Sequence, residues 1–306
     1  MIKNPHDKFF KEVFSQLEYA RDFLQGVLPQ DVVALLDFEK LSLENNSFTD
    51  QELGEYFADL IFSCPLNGND EVQIALLMEH KSYSVPYPHI QLLRYILSVW
   101  EESIKANKRL KSVIPLIVYQ GKEKWQVKTI RSYFPDLPEA LHKYIPEFEY
   151  VLMDFSAYSD AQIESVFKNP YLVLVSEVFK HINSDVEILK ALGKNLSLLN
   201  DSKEMPKNLL KSLFLYIFNQ TSIHSIDIQK THIDERVKEV AMTTAEILHR
   251  EGLEQGLEQG LEQGLRLQAF KDAEKMDAKG FDWSDIIDIT GITPPELHYW
   301  IENGRQ

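Results

Sequence analysis

The sequence predicts an α/β fold with a mixed central sheet flanked by helices, followed by an all-helical C-terminal region. Three observations predict it. Up to about residue 156 the element signals run helix–strand–strand–strand–helix–strand, an order that builds one sheet with helices around it. Val72–Met78 is apolar nearly throughout, as a central strand covered on both faces would be. After about residue 156 the strand signals stop and helical patterns take over.

The first helix is expected from Pro5 through Leu28, with Phe9, Phe10, Val13, Phe14 and Leu17 recurring at helical spacing. Pro29 interrupts it, and Val32–Leu36 restarts a short helix. Leu41–Phe48 alternates apolar and polar residues and forms a first strand, and residues 55–63 form a second. Pro65-Leu66-Asn67-Gly68-Asn69-Asp70 carries turn chemistry, with Asn-Gly its strongest dipeptide. Val72–Met78 is the third strand. Residues 88–107 make a long helix with Leu93, Ile96, Leu97, Trp100 and Ile104 as its buried stripe. Val113–Tyr119 is a fourth strand and Phe148–Phe155 a fifth. Residues 157–250 form several helices, the last around Val237–Arg250. The chain thus divides into an α/β domain at 1–156, a helical region at 157–250 and a tail at 251–306.

That tail opens with Gly-Leu-Glu-Gln three times from Gly252 to Gln263. Each glycine costs a helix about 1 kcal/mol relative to alanine, so a helix here needs a partner. A helix-packing or self-association segment and a semi-flexible linker both fit. Gly280–Leu297 then follows a loose helix–turn–helix pattern around Thr290-Gly291-Ile292. A DNA-reading version would be basic on its second helix, whereas residues 280–306 hold five acids and one arginine. A packing or protein-contact element is the better reading.

With 306 residues, 44% of them apolar and 11% aromatic, the chain can bury a sizeable core. No apolar stretch reaches 18 residues, and Met-Ile-Lys-Asn-Pro-His-Asp lacks the apolar core of a signal peptide, so the expected location is cytoplasmic. A lone cysteine, Cys64, fits a reducing compartment. The net charge of −15 argues against a general nucleic-acid coating protein. Its distribution says more. From 105 to 131 there are eight basic residues (Lys105, Lys108, Arg109, Lys111, Lys122, Lys124, Lys128, Arg131) against one acid, Glu123. This stretch is either a solvated helix end and loop or a DNA contact.

The chemistry-bearing pattern lies at 59–91. Asp59 sits in the apolar run Tyr56–Phe62, and the run 72–78 ends abruptly in Glu79-His80-Lys81. Charges closing apolar strands are costly unless paired or used. In a strand Glu79 and Lys81 share a face while His80 points away, and a hairpin centred near residues 68–69 sets Asp59 opposite residues 77–79. Two converging carboxylates repel unless a proton or cation lies between them. A hard ion with oxygen ligands suits the place, Mg²⁺ or alternatively Mn²⁺ or Ca²⁺, held by Asp59, Glu79 and the His80 carbonyl. Lys81 would then orient or deprotonate a water and offset negative charge on the phosphorane, with Gln91 fixing the water or a phosphate. A Glu-x-Lys triplet alone also describes a surface ion pair. Asp59, some twenty residues upstream in an apolar strand, sets the two readings level.

Several segments resemble the Rpn family of recombination-promoting nucleases, within the PD-(D/E)XK superfamily. They are His6-Asp7-Lys8-Phe9-Phe10-Lys11-Glu12-Val13-Phe14, Ala20-Arg21-Asp22-Phe23-Leu24 with Leu28-Pro29, and Ala58-Asp59-Leu60-Ile61. Leu77–Ser82, Leu92-Leu93-Arg94-Tyr95, Ile114–Gly121 and the glycine-repeat tail complete the likeness, which covers nearly the whole chain. The resemblance implies a restriction-endonuclease-like core at 1–156 and a metal-dependent DNA endonuclease linked to recombination, mobile elements or defence in bacteria. It implies Asp59, Glu79 and Lys81 as the catalytic set with Gln91 accessory, and a homo-oligomer such as a dimer. Many relatives carry Gln at the position of Lys81, so the lysine favours an intact site. The superfamily often adds an acid from the first helix, for which Glu12 and Glu18 are both available. The family also carries a transposase label. With Asp59 and Glu79 only twenty residues apart and a lysine beside them, cleavage without strand transfer is expected. The alternative function is a catalytically weak nuclease-fold scaffold that assembles through its C-terminal helices.

Overall fold

The computed structural model describes residues 5–44, 60–81, 83–199 and 206–303, with backbone alone at 70–79 and 197–199. It resolves into two compact units, Met1–Ala245 and Glu246–Gln306.

The first unit begins with α1 (Pro5–Phe14) and α2 (Leu17–Val27), then the single turn α3 (Gln30–Val33). The expected helix Pro5–Leu28 is therefore two. Gln16 takes an extended conformation (ψ 114°), and the break lets Phe14 and Phe23 meet at 4.7 Å in the core. Strands β1 (Ser42–Leu43), β2 (Leu60–Leu66) and β3 (Asn69–Lys81) follow, then α4 (Pro88–Lys105), β4 (Ser112–Tyr119) and β5 (Val151–Asp154). The expected strand at 55–63 is described only from Leu60, and its residues 55–59 lie outside the described chain, as do 45–48 of the expected first strand.

The sheet order is β1-β2-β3-β4-β5. The first three strands pair antiparallel, and β3 pairs parallel to β4 and β4 to β5. The sheet is thus mixed, as the sequence predicts. The turn is tighter than the run Pro65–Asp70 suggests. Only Asn67 and Gly68 form the loop, with Leu66 paired to Asn69 and Gly68 at φ 74°, a conformation glycine adopts without Cβ strain. The missing N–H of Pro65 is tolerated beside an irregularity in the ladder between Pro65 and Leu66.

Helices cover both faces of the sheet. On one, Phe10, Phe14, Phe62, Val118, Met153, Phe179 and Phe214 form the main core. On the other, Leu92, Tyr95 and Val99 of α4 pack with Ile61, Ile117, Tyr119 and Trp125. The buried stripe of α4 is rotated from the expected one: Leu97 and Ile104 are exposed, and Leu92, Tyr95, Ile96 and Val99 face inward.

After β5 come α5 (Asp160–Val166), α6 (Pro170–His181), α7 (Asp185–Leu199), α8 (Lys207–Gln220), α9 (Ser225–Gln229) and α10 (Glu235–Ala278). Every residue of α6 from Tyr171 to Phe179 is buried, which makes it the central helix of the main core. Each fully buried phenylalanine there contributes about 1.5–3 kcal/mol.

In the second unit the Gly-Leu-Glu-Gln tract is helical and belongs to α10, beyond the expected end at Arg250. Leu253, Leu257, Leu261 and Leu265 are all exposed along it. Helices α11 (Trp283–Thr290) and α12 (Pro294–Asn303) close a small core of Phe270, Ala273, Ile286, Ile292 and Leu297. Gly291 (φ 69°) ends α11, and the Glu296 carboxylate accepts from the Thr293 backbone at 2.9 Å at the start of α12.

Candidate functional site

Of the candidate residues, Glu79, His80 and Lys81 lie at the C-terminal end of β3, beside the end of its parallel partner β4. Lys81 is the last residue of β3 and stands opposite Tyr119, a member of the α4-side cluster. Glu79 holds the register position opposite Ile117, of the same cluster. Gln91, in the first turn of α4, donates through Nε2 to the Tyr95 hydroxyl at 2.7 Å, and Tyr95 is buried in that cluster. The structure therefore brings the strand positions 79 and 81 and the helix bearing Gln91 to one side of the sheet. Asp59 lies outside the described residues. In sequence it immediately precedes Leu60, whose partner Met78 immediately precedes Glu79.

Among the described residues no group of three His, Cys, Asp or Glu is placed to hold a metal ion. The two expected carboxylates are not part of that set, since only the backbone of Glu79 is described. One backbone observation bears on a hard cation. The Gln120 N–H donates to the Lys81 carbonyl at 3.0 Å, so that carbonyl faces β4. Carbonyls alternate along a strand, which turns the His80 carbonyl toward the β2 side, past the described ladder end at Leu60 and Met78.

The His80 ring goes the other way, into the main core. It is buried, stacked on Phe10 at 4.9 Å and near Phe179 at 5.8 Å. Its Nδ1 meets the Asp7 carboxylate of α1 at 3.3 Å, while Nε2 is buried with no hydrogen-bond partner among the described residues. Burial pushes the Asp7 carboxyl up, but the His80 hydrogen bond and the neighbouring His80, His6 and Lys11 charges pull it further down, below its ordinary value. Of the acids on the first two helices, Asp7 is thus the one tied to β3. Glu12 instead accepts from the Ser212 hydroxyl of α8, and Glu18 from the Asn169 amide at 3.0 Å.

Beside this pair sits a second polar group. The Gln120 amide and the Tyr216 hydroxyl, the latter at 2.8 Å, converge on His6 Nδ1. Burial and the nearby His80 lower His6 to about 4, so it is neutral at ordinary pH, with Nδ1 as an acceptor. Burial also pushes the Tyr216 phenol up. Sequence reasoning missed Gln120 and Tyr216. The first stands in a strand-end Gln-Gly that looked like a terminator, and the second lies 210 residues from His6, with no local signal to link them.

An open cleft of about 420 Å³ runs along this strand end, lined by His6, Tyr83, Ser84, Tyr119, Gln120, Gly121, Lys122, Glu123, Ile182 and Asn183. Of the basic stretch, Lys122 lines it. Lys105, Lys108 and Arg109 precede Ser112 at the opposite end of β4, about 23 Å away at 3.3 Å per residue. Lys111 there pairs with Glu44.

Comparison with known proteins adds the following. The family model described as "Putative transposase, YhgA-like" matches residues 4–210. The recombination-promoting nuclease RpnA of Escherichia coli K12 is 29% identical over 299 residues, 96% of both chains. The inactive recombination-promoting nuclease-like protein RpnE of the same organism is 28% identical, also over 96% of both. The recombination-promoting nuclease RpnD of Escherichia coli O157:H7 is 30% identical over 58% of this chain and 68% of its own. No solved structure matches the chain significantly. The chain belongs to the YhgA-like transposase family, the family of the Rpn recombination-promoting nucleases.

Proposed function

We propose that this chain is a metal-dependent DNA endonuclease with a restriction-endonuclease-like core of the PD-(D/E)XK type, acting in the cytoplasm on DNA that undergoes recombination. The observation that carries it is the position of Lys81. It closes β3 on the side of the sheet that bears Gln91, in a chain 29% identical along 96% of its length to a named recombination-promoting nuclease. Asp59, Glu79 and the His80 carbonyl are hard oxygen donors that would hold Mg²⁺, Mn²⁺ or Ca²⁺. Such an ion, when bound, polarises the scissile phosphate and lowers the pKa of a bound water. Lys81 orients that water and offsets the charge gathering on the phosphate oxygens. Gln91, already held by Tyr95, fixes the water or a neighbouring phosphate. The His80 ring, clamped between Asp7 and Phe10, holds the strand end in place.

The test is cleavage of supercoiled plasmid by the purified protein in Mg²⁺, Mn²⁺, Ca²⁺ or EDTA, with Asp59→Ala and Lys81→Ala alongside. Metal-dependent nicking that falls at least about a hundredfold in both variants is expected. Asp59→Ala cutting as fast as the parent would overturn the assignment.

A second reading has its own support. RpnE, named inactive, matches as much of the chain as RpnA does. The four leucines of the glycine tract lie exposed along α10. A catalytically weak scaffold that assembles as a homo-oligomer through its C-terminal helices fits both facts, and its readout is oligomeric state rather than cleavage.

A further inference from the structure

The cleft at the ends of β3 and β4 contains a feature that hydrolysis alone does not require. Tyr83, two residues past Lys81, lines it and is 63% exposed, and Lys122 lines it as well. Ligands of open α/β sheets bind at the carboxyl ends of the strands, which is where this cleft lies. Its floor is fixed: Gln120 and Tyr216 hold His6, and the Tyr119 hydroxyl donates to the Glu123 carbonyl at 2.7 Å. A rigid polar floor under an exposed aromatic ring is a poor hydrophobic docking surface and a good base platform.

We propose that this cleft seats one unstacked nucleotide of the DNA substrate, its base against Tyr83 and its phosphate at Lys122, so that the preferred substrate is single-stranded or locally unpaired DNA. The inference rests on the nuclease reading for the identity of the ligand and goes beyond it in naming the form of the DNA. Three observations carry it. A volume of about 420 Å³ falls within the roughly 300–1,000 Å³ of small-ligand clefts, room for a nucleotide but not for a duplex. Of the two tyrosines that line it, Tyr119 is buried and bonded to the Glu123 carbonyl, so Tyr83, 63% exposed, is the one that offers a ring to a base. Finally, exposed Lys122 lines the cleft in a chain of net charge −15, a charge suited to hold a phosphate there. An exposed ring beside a lysine binds a single strand by stacking on a base, and the bases of a duplex are already stacked on one another.

The test is fluorescence anisotropy of the full chain in EDTA, so that nothing is cut. The probes are a labelled single strand, the blunt duplex of the same sequence, the same duplex with a short gap, and an RNA of the same sequence. The single strand and gapped duplex are expected to bind at least about tenfold tighter than the blunt duplex. Tyr83→Ala removes most of that preference, Tyr83→Phe keeps it, and Lys122→Ala weakens every probe and lowers the salt dependence by about one ion. Equal binding of blunt duplex and single strand, an unchanged preference in Tyr83→Ala, or tight binding of RNA without DNA would each overturn the proposal. Because no cleavage is involved, the preference can stand where the nuclease assignment fails. Conversely, metal-dependent cutting with no such preference removes this inference alone.

Discussion

Gly121 shows how closely single residues are constrained beside the candidate site. A Cβ added there would sit 2.0 Å from the Tyr119 hydroxyl, which is itself bonded to the Glu123 carbonyl. Gly121→Ala is expected to cost about 1–3 kcal/mol, the usual scale of overpacking. Urea unfolding of the two proteins checks it, and a midpoint shared with the parent would mean that Tyr119 can swing aside. The same scale shows what the sequence discloses and what it withholds. Lys81 and Gln91 announce themselves through charge or polarity set against apolar runs. Asp7 stands out only as one of three polar groups, with His6 and Lys11, on a Phe-rich helix, because its tie is to His80, 73 residues away, and its neighbours Glu12 and Glu18 look equally suitable on a helical wheel. Their separate engagement by Ser212 and Asn169 becomes visible only once α8 and the start of α6 are in place.

At the scale of elements, apolar continuity and turn dipeptides mark β3, β4 and the hairpin loop, since a strand inside the sheet reads as a short apolar run bounded by turn residues. The break between α1 and α2 leaves no such mark: no proline or glycine stands at Ser15-Gln16, and the packing of Phe14 on Phe23 makes it. The stripe of α4 fails similarly, because Trp100 and Leu97 fit a helical period as well as Tyr95 and Val99 do, and only the sheet decides. The glycine tract is the opposite case, with local preference and structure in conflict. Its four glycines cost α10 about 4 kcal/mol, and a Cβ added at any of them would meet nothing within 4 Å. A helix that gives up so much with its leucines exposed gains most from a second helix laid along it. Truncation after Arg250 is accordingly expected to turn an oligomer into a monomer in light scattering. A monomer before and after truncation would remove the main support for assembly through this tail.

For the molecule as a whole, charge placement matters more than charge total. Lys105, Lys108 and Arg109 stand at one end of β4 and Lys122 at the other, about 23 Å apart and beyond the roughly 8 Å over which salt lets exposed charges act at physiological ionic strength. The basic stretch that looks like one patch in sequence is two in space, and only one borders the cleft. Long-range pairing is also why Tyr216 was illegible. A tyrosine in a helical region carries no sign that it will bond a histidine 210 residues earlier.

The loop at Asn67-Gly68 has a consequence in time rather than in space. Asparagine followed by glycine is the pair in which the next backbone nitrogen most readily attacks the side-chain amide, expelling ammonia to form a succinimide that water opens, chiefly to an isoaspartate with one extra main-chain carbon. In a two-residue loop that carbon has nowhere to go without disturbing the pairing of β2 with β3, the strand that ends in Lys81. Two bonds oppose the attack: Asn67 donates its side-chain amide to the Ala34 carbonyl and its backbone N–H to the Leu35 carbonyl, each at 2.9 Å. Folded protein stored at mild alkaline pH should therefore gain isoaspartate at this position more slowly than urea-unfolded protein, as peptide mapping would show. Equal rates would mean that those bonds give no protection. The tether that sets the geometry of the hairpin also sets how long the protein keeps it.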